Sequence, residues 1–235
     1  MAPLFPGIVE FGERFGVTIV TAYSMTELPM VFCSNTFYDV TNDNYRLCGH
    51  PDPSVDVRLA DDHGNDVGDG EPGELLARAA EGVITPGYLN NPEATATAWR
   101  GGWFHTGDVF TRDGDGRYAF VDRKKDAIRR RGENISSMEV EVAINTFPAV
   151  LECAVYAVPS DLAEDDVKVG IVVAPGHEFA PAELIDFLHA RVPRFAIPRY
   201  VEVLAELPKT PTQRVRKAEL RAAGVTPTTW DRGSR

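Results

Sequence analysis

The chain has 235 residues, 43% of them hydrophobic, with 24 Lys and Arg against 35 Asp and Glu and a formal net charge of −11. That length and apolar content allow one large or two small packed cores and exclude a fibre or a disordered chain, while the acidic balance excludes the broad basic face that general nucleic-acid binding requires. Three scattered cysteines (Cys33, Cys48, Cys153) exclude a disulfide framework or a CxxC zinc site; without a bilayer-length apolar run or a signal-like N-terminus, the expectation is a cytoplasmic protein with no membrane span.

Ile8, Val9, Phe11 and Phe15, set among acids and glycines, predict a short helix within residues 5–15. The β-branched run at 17–22 predicts a strand opening into the loop Tyr23-Ser24-Met25-Thr26-Glu27. Residues 31–46 are polar and irregular. Strands are expected at Val55–Ala60 and Gly73–Ala79, joined by a turn region dense in Asp and Gly. Asn91-Pro92-Glu93 starts a helix that runs to Trp99 and stops at Gly101-Gly102. Residues 103–110 enter a strand, Asp113-Gly114-Asp115-Gly116 turns it, and residues 118–121 return.

Between residues 123 and 131, six basic side chains (Arg123, Lys124, Lys125, Arg129, Arg130, Arg131) accompany one acid, Asp126, a local charge of +5 in an acidic chain. Charge alone leaves two readings open, a solvated basic loop and a surface for a compact anionic ligand. Ser136-Ser137-Met138-Glu139 then starts a helix that ends before Pro148. Strands follow at 153–158 and 167–174, a helix at 181–191, a strand at 200–204 and a helix at 216–223, interleaved as βαβ-like pieces. The predicted fold class is α+β: a small β-rich unit over residues 1–123, then a compact α+β domain over 124–235.

Two loops carry candidate chemistry. The aromatic ring, hydroxyl and carboxylate of residues 23–27 can stack a base, donate to a phosphate and hold a divalent cation. The same residues can also be a polar loop with a helix cap at Ser24 or Thr26. His105-Thr106-Gly107-Asp108 ends a strand, with Asp108 either accepting two ribose hydroxyls or serving as a turn aspartate. His105 reads as a packing histidine, since no partner carboxylate can be assigned to it.

Taken in order, YSMTE, GELLAR, GYLNNPEAT, GWFHTGD, DRKKDAIRRRGENISSMEVE and LPKTPTQRVRK resemble the adenylate-forming superfamily of acyl-CoA synthetases, luciferases and nonribosomal peptide synthetase adenylation domains. The likeness runs from Ala2 to the neighbourhood of Leu220. RRRGEN is most similar to acyl-CoA ligases of the carnitine or crotonobetaine type. The resemblance implies an ATP-dependent acyl-CoA synthetase of fatty acid metabolism, which joins a carboxylic acid to AMP and then to CoA, with ATP/AMP, Mg²⁺ and coenzyme A as cofactors. Residues 1–123 would end the large adenylation domain, and 124–235 would be the small, mobile C-terminal domain. Tyr23 would pack on adenine, Thr26 would contact the ATP phosphates, Glu27 would help hold Mg²⁺, and Asp108 would take the ribose hydroxyls with Arg123 assisting. Lys125 would be the hinge between the adenylating and thioester-forming poses. Gly132 and Glu133 would line the pantetheine channel, where a glycine lets the arm pass close to backbone, and residues 129–131 would face CoA phosphates or solvent.

Departures from the family pattern shape the remaining expectations. Its glycine- and Ser/Thr-rich phosphate loop lies upstream of YSMTE and is not among these residues, so the expectation is a truncated synthetase; the alternative is a non-catalytic fragment or binding module that keeps partial nucleotide or CoA contacts. A face left uncovered in this way would be apolar and open to a partner chain or to self-association. The family's PKTxxGK ends in a lysine that reaches the α-phosphate, whereas this chain places Gln213 at the glycine and Arg214 at the lysine. A planar guanidinium fork is not equivalent to a compact ammonium at a tight site. Ser24 replaces a usual glycine.

Overall fold

The computed structural model describes residues 8–18, 22–29, 46–130, 132–160 and 164–234. The chain divides into two compact units, Met1–Lys124 and Lys125–Arg235.

In the first unit, helix α1 (Ile8–Phe15) precedes strands β1 (Leu47–Gly49), β2 (Val55–Ala60) and β3 (Gly73–Ala79), helix α2 (Pro92–Ala98), and strands β4 (Trp99–Arg100), β5 (Trp103–Arg112) and β6 (Tyr118–Arg123). Of the strand expected at 17–22, residues 19–21 lie outside the described residues. Val17 does not open a strand, because its N–H bonds back to Gly12 O and closes the helix. The strands form an antiparallel sheet in the order β1-β6-β5-β3-β2, with β4 also on β5. On the interior strand β3, consecutive Leu75, Leu76 and Ala77 are all buried, the pattern of a strand covered on both faces. The β5–β6 turn is fixed by Asp113, whose Oδ1 accepts the N–H groups of Asp115 and Arg117. Asn91 caps α2 by accepting Ala94 N–H, with Pro92 in the first turn.

The second unit contains β7 (Ile128–Arg130), β8 (Glu133–Ile135), α3 (Ser137–Ile144), β9 (Val150–Pro159), β10 (Asp165–Val173), α4 (Pro181–Leu188), β11 (Tyr200–Val203), α5 (Lys217–Ala223) and β12 (Trp230–Asp231). Its sheet runs β12-β11-β10-β9. Strands β10 and β11 are parallel and joined through α4, which makes a βαβ unit; β9 pairs with β10 antiparallel. Val155, Val169 and Ile171 of the sheet pack with Leu184 and Leu188 of α4 and Ile144 of α3 in one core. Ser136 caps α3 by accepting Glu139 N–H.

The basic run departs from expectation. A short hairpin, β7–β8, occupies part of what reads as a charged loop. Arg130 is not solvated: it is 7% exposed, pairs with Asp166 Oδ1 at 3.0 Å, and donates to the carbonyls of Phe195 and Ile197. Burial of a guanidinium requires that degree of pairing. Among the described residues, no helix is long and apolar enough to cross a membrane.

Candidate functional site

The chemistry of the first unit gathers on a distortion of β5. Glu74 of β3 faces Val109 and Leu76 faces His105, so Thr106, Gly107 and Asp108 all stand against Leu75. Such a bulge bends a strand and re-aims its side chains. Gly107 sits at φ +70°, a left-handed conformation that favours glycine. The backbone groups that leave the ladder find side chains instead. Thr106 Oγ1 donates to Leu75 O at 2.8 Å and accepts Asp108 N–H at 3.1 Å, while Gly107 N–H goes to Glu74 Oε1 at 3.3 Å.

Asp108 is held inward at 8% exposure. Tyr23 donates its hydroxyl to Oδ2 at 2.6 Å, and Arg123, directly across the ladder, brings Nε to 3.6 Å from Oδ1. Burial first, then the Asp108 charge and its hydrogen bond, push the Tyr23 phenol far above its ordinary value, so it stays protonated and remains a donor. The carboxylate thus already binds an alcohol-type donor, the group that a ribose hydroxyl would supply. Tyr23 differs from the open stacking face expected of it. Its ring is 1% exposed and meets Phe110 edge-on, with centroids 4.9 Å apart.

Beside it, reciprocal backbone hydrogen bonds between Met25 and Leu28 form a tight turn that leaves Thr26 exposed. Glu27 is half-buried, anchored by Thr85 N–H on its carbonyl (2.7 Å) and by the Tyr88 hydroxyl on Oε1 (3.0 Å). Glu27 offers one hard oxygen, and no group of three acidic, His or Cys side chains that could hold a metal occurs among the described residues. That donor set fits a Mg²⁺ carried mainly by phosphates, which needs only one or two carboxylates from protein.

Sequence reasoning missed a charged cluster around Glu74, which is 6% exposed. Its Oε2 lies 2.9 Å from Lys124 Nζ, 3.8 Å from Arg100 Nη2 and 3.2 Å from His105 Nδ1, the last off the line of a hydrogen bond and an ion pair only with the imidazole protonated. Burial by itself would raise this carboxyl; Lys124 and His105 outweigh it and hold it below the usual range. Lys124 also reaches Asp62 at 3.0 Å. His105 therefore has the carboxylate neighbour that spacing could not assign. The available signal was a lone acid heading the apolar run Leu75-Leu76-Ala77.

In the second unit, Lys125 is exposed, and Gly132, at φ +79°, turns β7 into β8 with its N–H held by the Glu164 carboxylate at 3.2 and 3.3 Å. A Cβ at Gly132 would meet nothing within 4 Å, so backbone conformation rather than crowding inside the unit selects glycine there. Glu133 is exposed and faces Arg130 across the hairpin. The loop before α5 is a tight one: Lys209 bridges to Val215, Thr210 N–H donates to Arg214 O at 2.8 Å, and Arg214 N–H returns to Thr210 Oγ1 at 3.1 Å. Gln213 adopts φ +64°, a strain of roughly 1–2 kcal/mol at the position where the family pattern has glycine. Arg214 stands exposed on this loop. The neighbouring cations are committed, Lys209 to Glu152 at 2.6 Å and Lys217 to Glu141 and Ser137 at 2.8 Å each.

Residues 1–89 match the AMP-binding enzyme family, and residues 139–214 match the AMP-binding enzyme C-terminal domain. A long-chain-fatty-acid–CoA ligase of Yersinia pestis is 37% identical over 230 residues, which cover 97% of this chain and 40% of that protein. A crotonobetaine/carnitine–CoA ligase of Shigella flexneri is 30% identical over 213 residues, 90% of this chain and 41% of that one. Among solved structures, the o-succinylbenzoate CoA synthetase of Bacillus subtilis, in complex with its acyl-adenylate intermediate, gives a TM-score of 0.83 at 25% identity over 94% of this chain and 44% of that chain. The chain spans about 40% of the length of the curated relatives it matches.

Proposed function

We propose, for a chain that belongs to the AMP-binding, adenylate-forming enzymes, that it supplies the ribose-binding and thioester-forming portions of an ATP-dependent acyl-CoA synthetase. The observation that carries this reading is the buried Asp108 carboxylate set between the Tyr23 hydroxyl and Arg123. It is an acceptor for vicinal hydroxyls with a guanidinium beside it, and the matched relatives are acid–thiol ligases.

In the reaction, a carboxylate oxygen attacks the α-phosphorus of ATP and pyrophosphate leaves; the CoA thiol, losing its proton, then attacks the acyl carbon and AMP leaves. Mg²⁺ supplies charge neutralisation at the phosphates. Asp108 orients the nucleotide through its ribose, with Tyr23 giving up its hydrogen bond as the sugar hydroxyls replace it. Glu27 offers a metal ligand and Thr26 a hydroxyl for phosphate. Arg214, the uncommitted cation of its loop, takes the place of the ammonium at the α-phosphate. Lys125 is read as the pivot of the C-terminal domain, and Gly132 and Glu133 as the loop beside the thioester arm. The exposed Phe15 and Leu89 of the first unit, at 59% and 91%, are read as surface that the rest of the adenylation domain would cover.

The test is Asp108→Ala. With the fold intact by circular dichroism, AMP affinity should fall roughly tenfold or more, as expected for loss of hydrogen bonds to a charged group. Unchanged affinity would contradict the assignment.

A further inference from the structure

We propose that Glu74 is a positioning residue for the nucleotide site, bracing the bulge that presents Asp108 and fixing Lys124, the last residue of the first unit. The proposal rests on the ribose reading of Asp108.

The geometry is a closed bracket. Glu74 Oε1 accepts Gly107 N–H at 3.3 Å, Glu74 Oε2 accepts Lys124 Nζ at 2.9 Å, and Lys124 N–H donates to Gly107 O at 2.9 Å. Gly107 is thus held at both its amide and its carbonyl by two residues that are paired with each other. Asp108 follows Gly107, Arg123 precedes Lys124, and Asp108 and Arg123 face each other across the ladder. Both members of the candidate ribose site therefore sit one residue from the bracket.

An apolar side chain at position 74 would fill the space as well. A carboxylate at 6% exposure is costly unless its charge is met, and here the charge does two jobs at once. It takes the amide that the bulge removes from the ladder, and it draws Lys124 onto the sheet. Left-handed Gly107 has no side chain to stabilise its own turn. Without Glu74, Gly107 and the carboxylate after it lose their fixed aim.

The experiment uses the 235-residue chain with Glu74→Ala and Glu74→Gln. It reads amide resonances and exchange by NMR, and binding of AMP against 2′,3′-dideoxy-AMP. In Glu74→Ala, Gly107 amide exchange should accelerate, and the preference for AMP over the dideoxy probe should fall, each by roughly tenfold or more. A general loss of stability would instead speed exchange across the whole sheet and weaken both probes alike. Glu74→Gln keeps the volume and an acceptor oxygen, so it serves if the alanine variant does not fold. Its Gly107 amide proton should move upfield as the acceptor loses its charge, and the AMP preference should fall severalfold. An unmoved Gly107 resonance in Glu74→Gln, or wild-type Gly107 exchange in a folded Glu74→Ala, overturns the proposal. If the wild-type chain itself does not prefer AMP over the dideoxy probe, the ribose reading fails, and the Gly107 resonance and exchange still decide the role of Glu74.

Discussion

Lys168→Met should destabilise the second unit by about 3–5 kcal/mol, the cost of breaking a buried ion pair from one side. Lys168 has a fully buried side chain, and its Nζ contacts Glu202 Oε2 at 2.5 Å, Gly224 O at 2.6 Å and Thr229 Oγ1 at 3.0 Å. Methionine matches its volume, so the loss is electrostatic: Glu202 keeps its charge and the hydroxyls of Thr226 and Thr228 but loses its ammonium, and Gly224 O loses a donor. The contact also ties the segment after α5 to β10 and β11, so the C-terminal residues should loosen first.

The pH dependence follows from the same pair. Burial would raise the Glu202 carboxyl, but Lys168, Thr226 and Thr228 outweigh it and hold the group below its ordinary 4.5. A depressed carboxyl contributes stability that is present above the unfolded value and is lost as pH falls through the folded one. In Lys168→Met, burial is opposed only by the threonines, so Glu202 protonates more readily. Denaturant unfolding should show the deficit largest near pH 7 and smaller near pH 4. A deficit under about 1 kcal/mol at neutral pH, or one that grows on acidification, contradicts this account.

Arg214→Lys should raise the adenylation rate by about tenfold or more in an enzyme completed with a phosphate-loop segment. A single lost transition-state donor typically costs roughly 10²–10³ in rate, and arginine retains part of that contribution through its charge. The loop holds Arg214 exposed by backbone hydrogen bonds to Thr210, so a lysine there inherits a fixed origin. Lys217 cannot substitute without leaving Glu141 and Ser137. Thioester formation from preformed acyl-adenylate should not change. Equal adenylation rates in the two proteins would show that the guanidinium already does what the ammonium would.

Much of the fold was legible. The bounds of β2 and β3 follow directly from β-branched and apolar runs between Asp/Gly turns, and α2 and α3 from their Asn91 and Ser136 caps. Segments shorter than the periods on which such reasoning depends were not legible: β7 and β8 have three residues each, and charge dominates the first. Arg130 was misread for a related reason, because burial of a guanidinium depends on Asp166 and two carbonyls more than thirty residues away. Lys168 carried a signal in plain view, one lysine inside a strand otherwise buried throughout its centre.

The site divides along the same line. Tyr23 and Asp108 were named from the chemistry of their loops and Arg123 from motif resemblance, but no spacing rule links Tyr23 to a carboxylate 85 residues later. That contact exists because a bulge turns Asp108 inward, and the bulge depends on the cross-strand register of β3 and β5. Glu74 was missed because its partners, Gly107 and Lys124, converge only once three strands have paired.

The most direct test of the nucleotide site is a titration of the chain with AMP, followed residue by residue through its amide resonances. Perturbations should centre on Tyr23, Gly107, Asp108 and Arg123 in the first unit, with the Tyr23 ring signals moving as its hydroxyl leaves Asp108. No change at these residues at saturating AMP, or changes confined to other surfaces, would contradict the account.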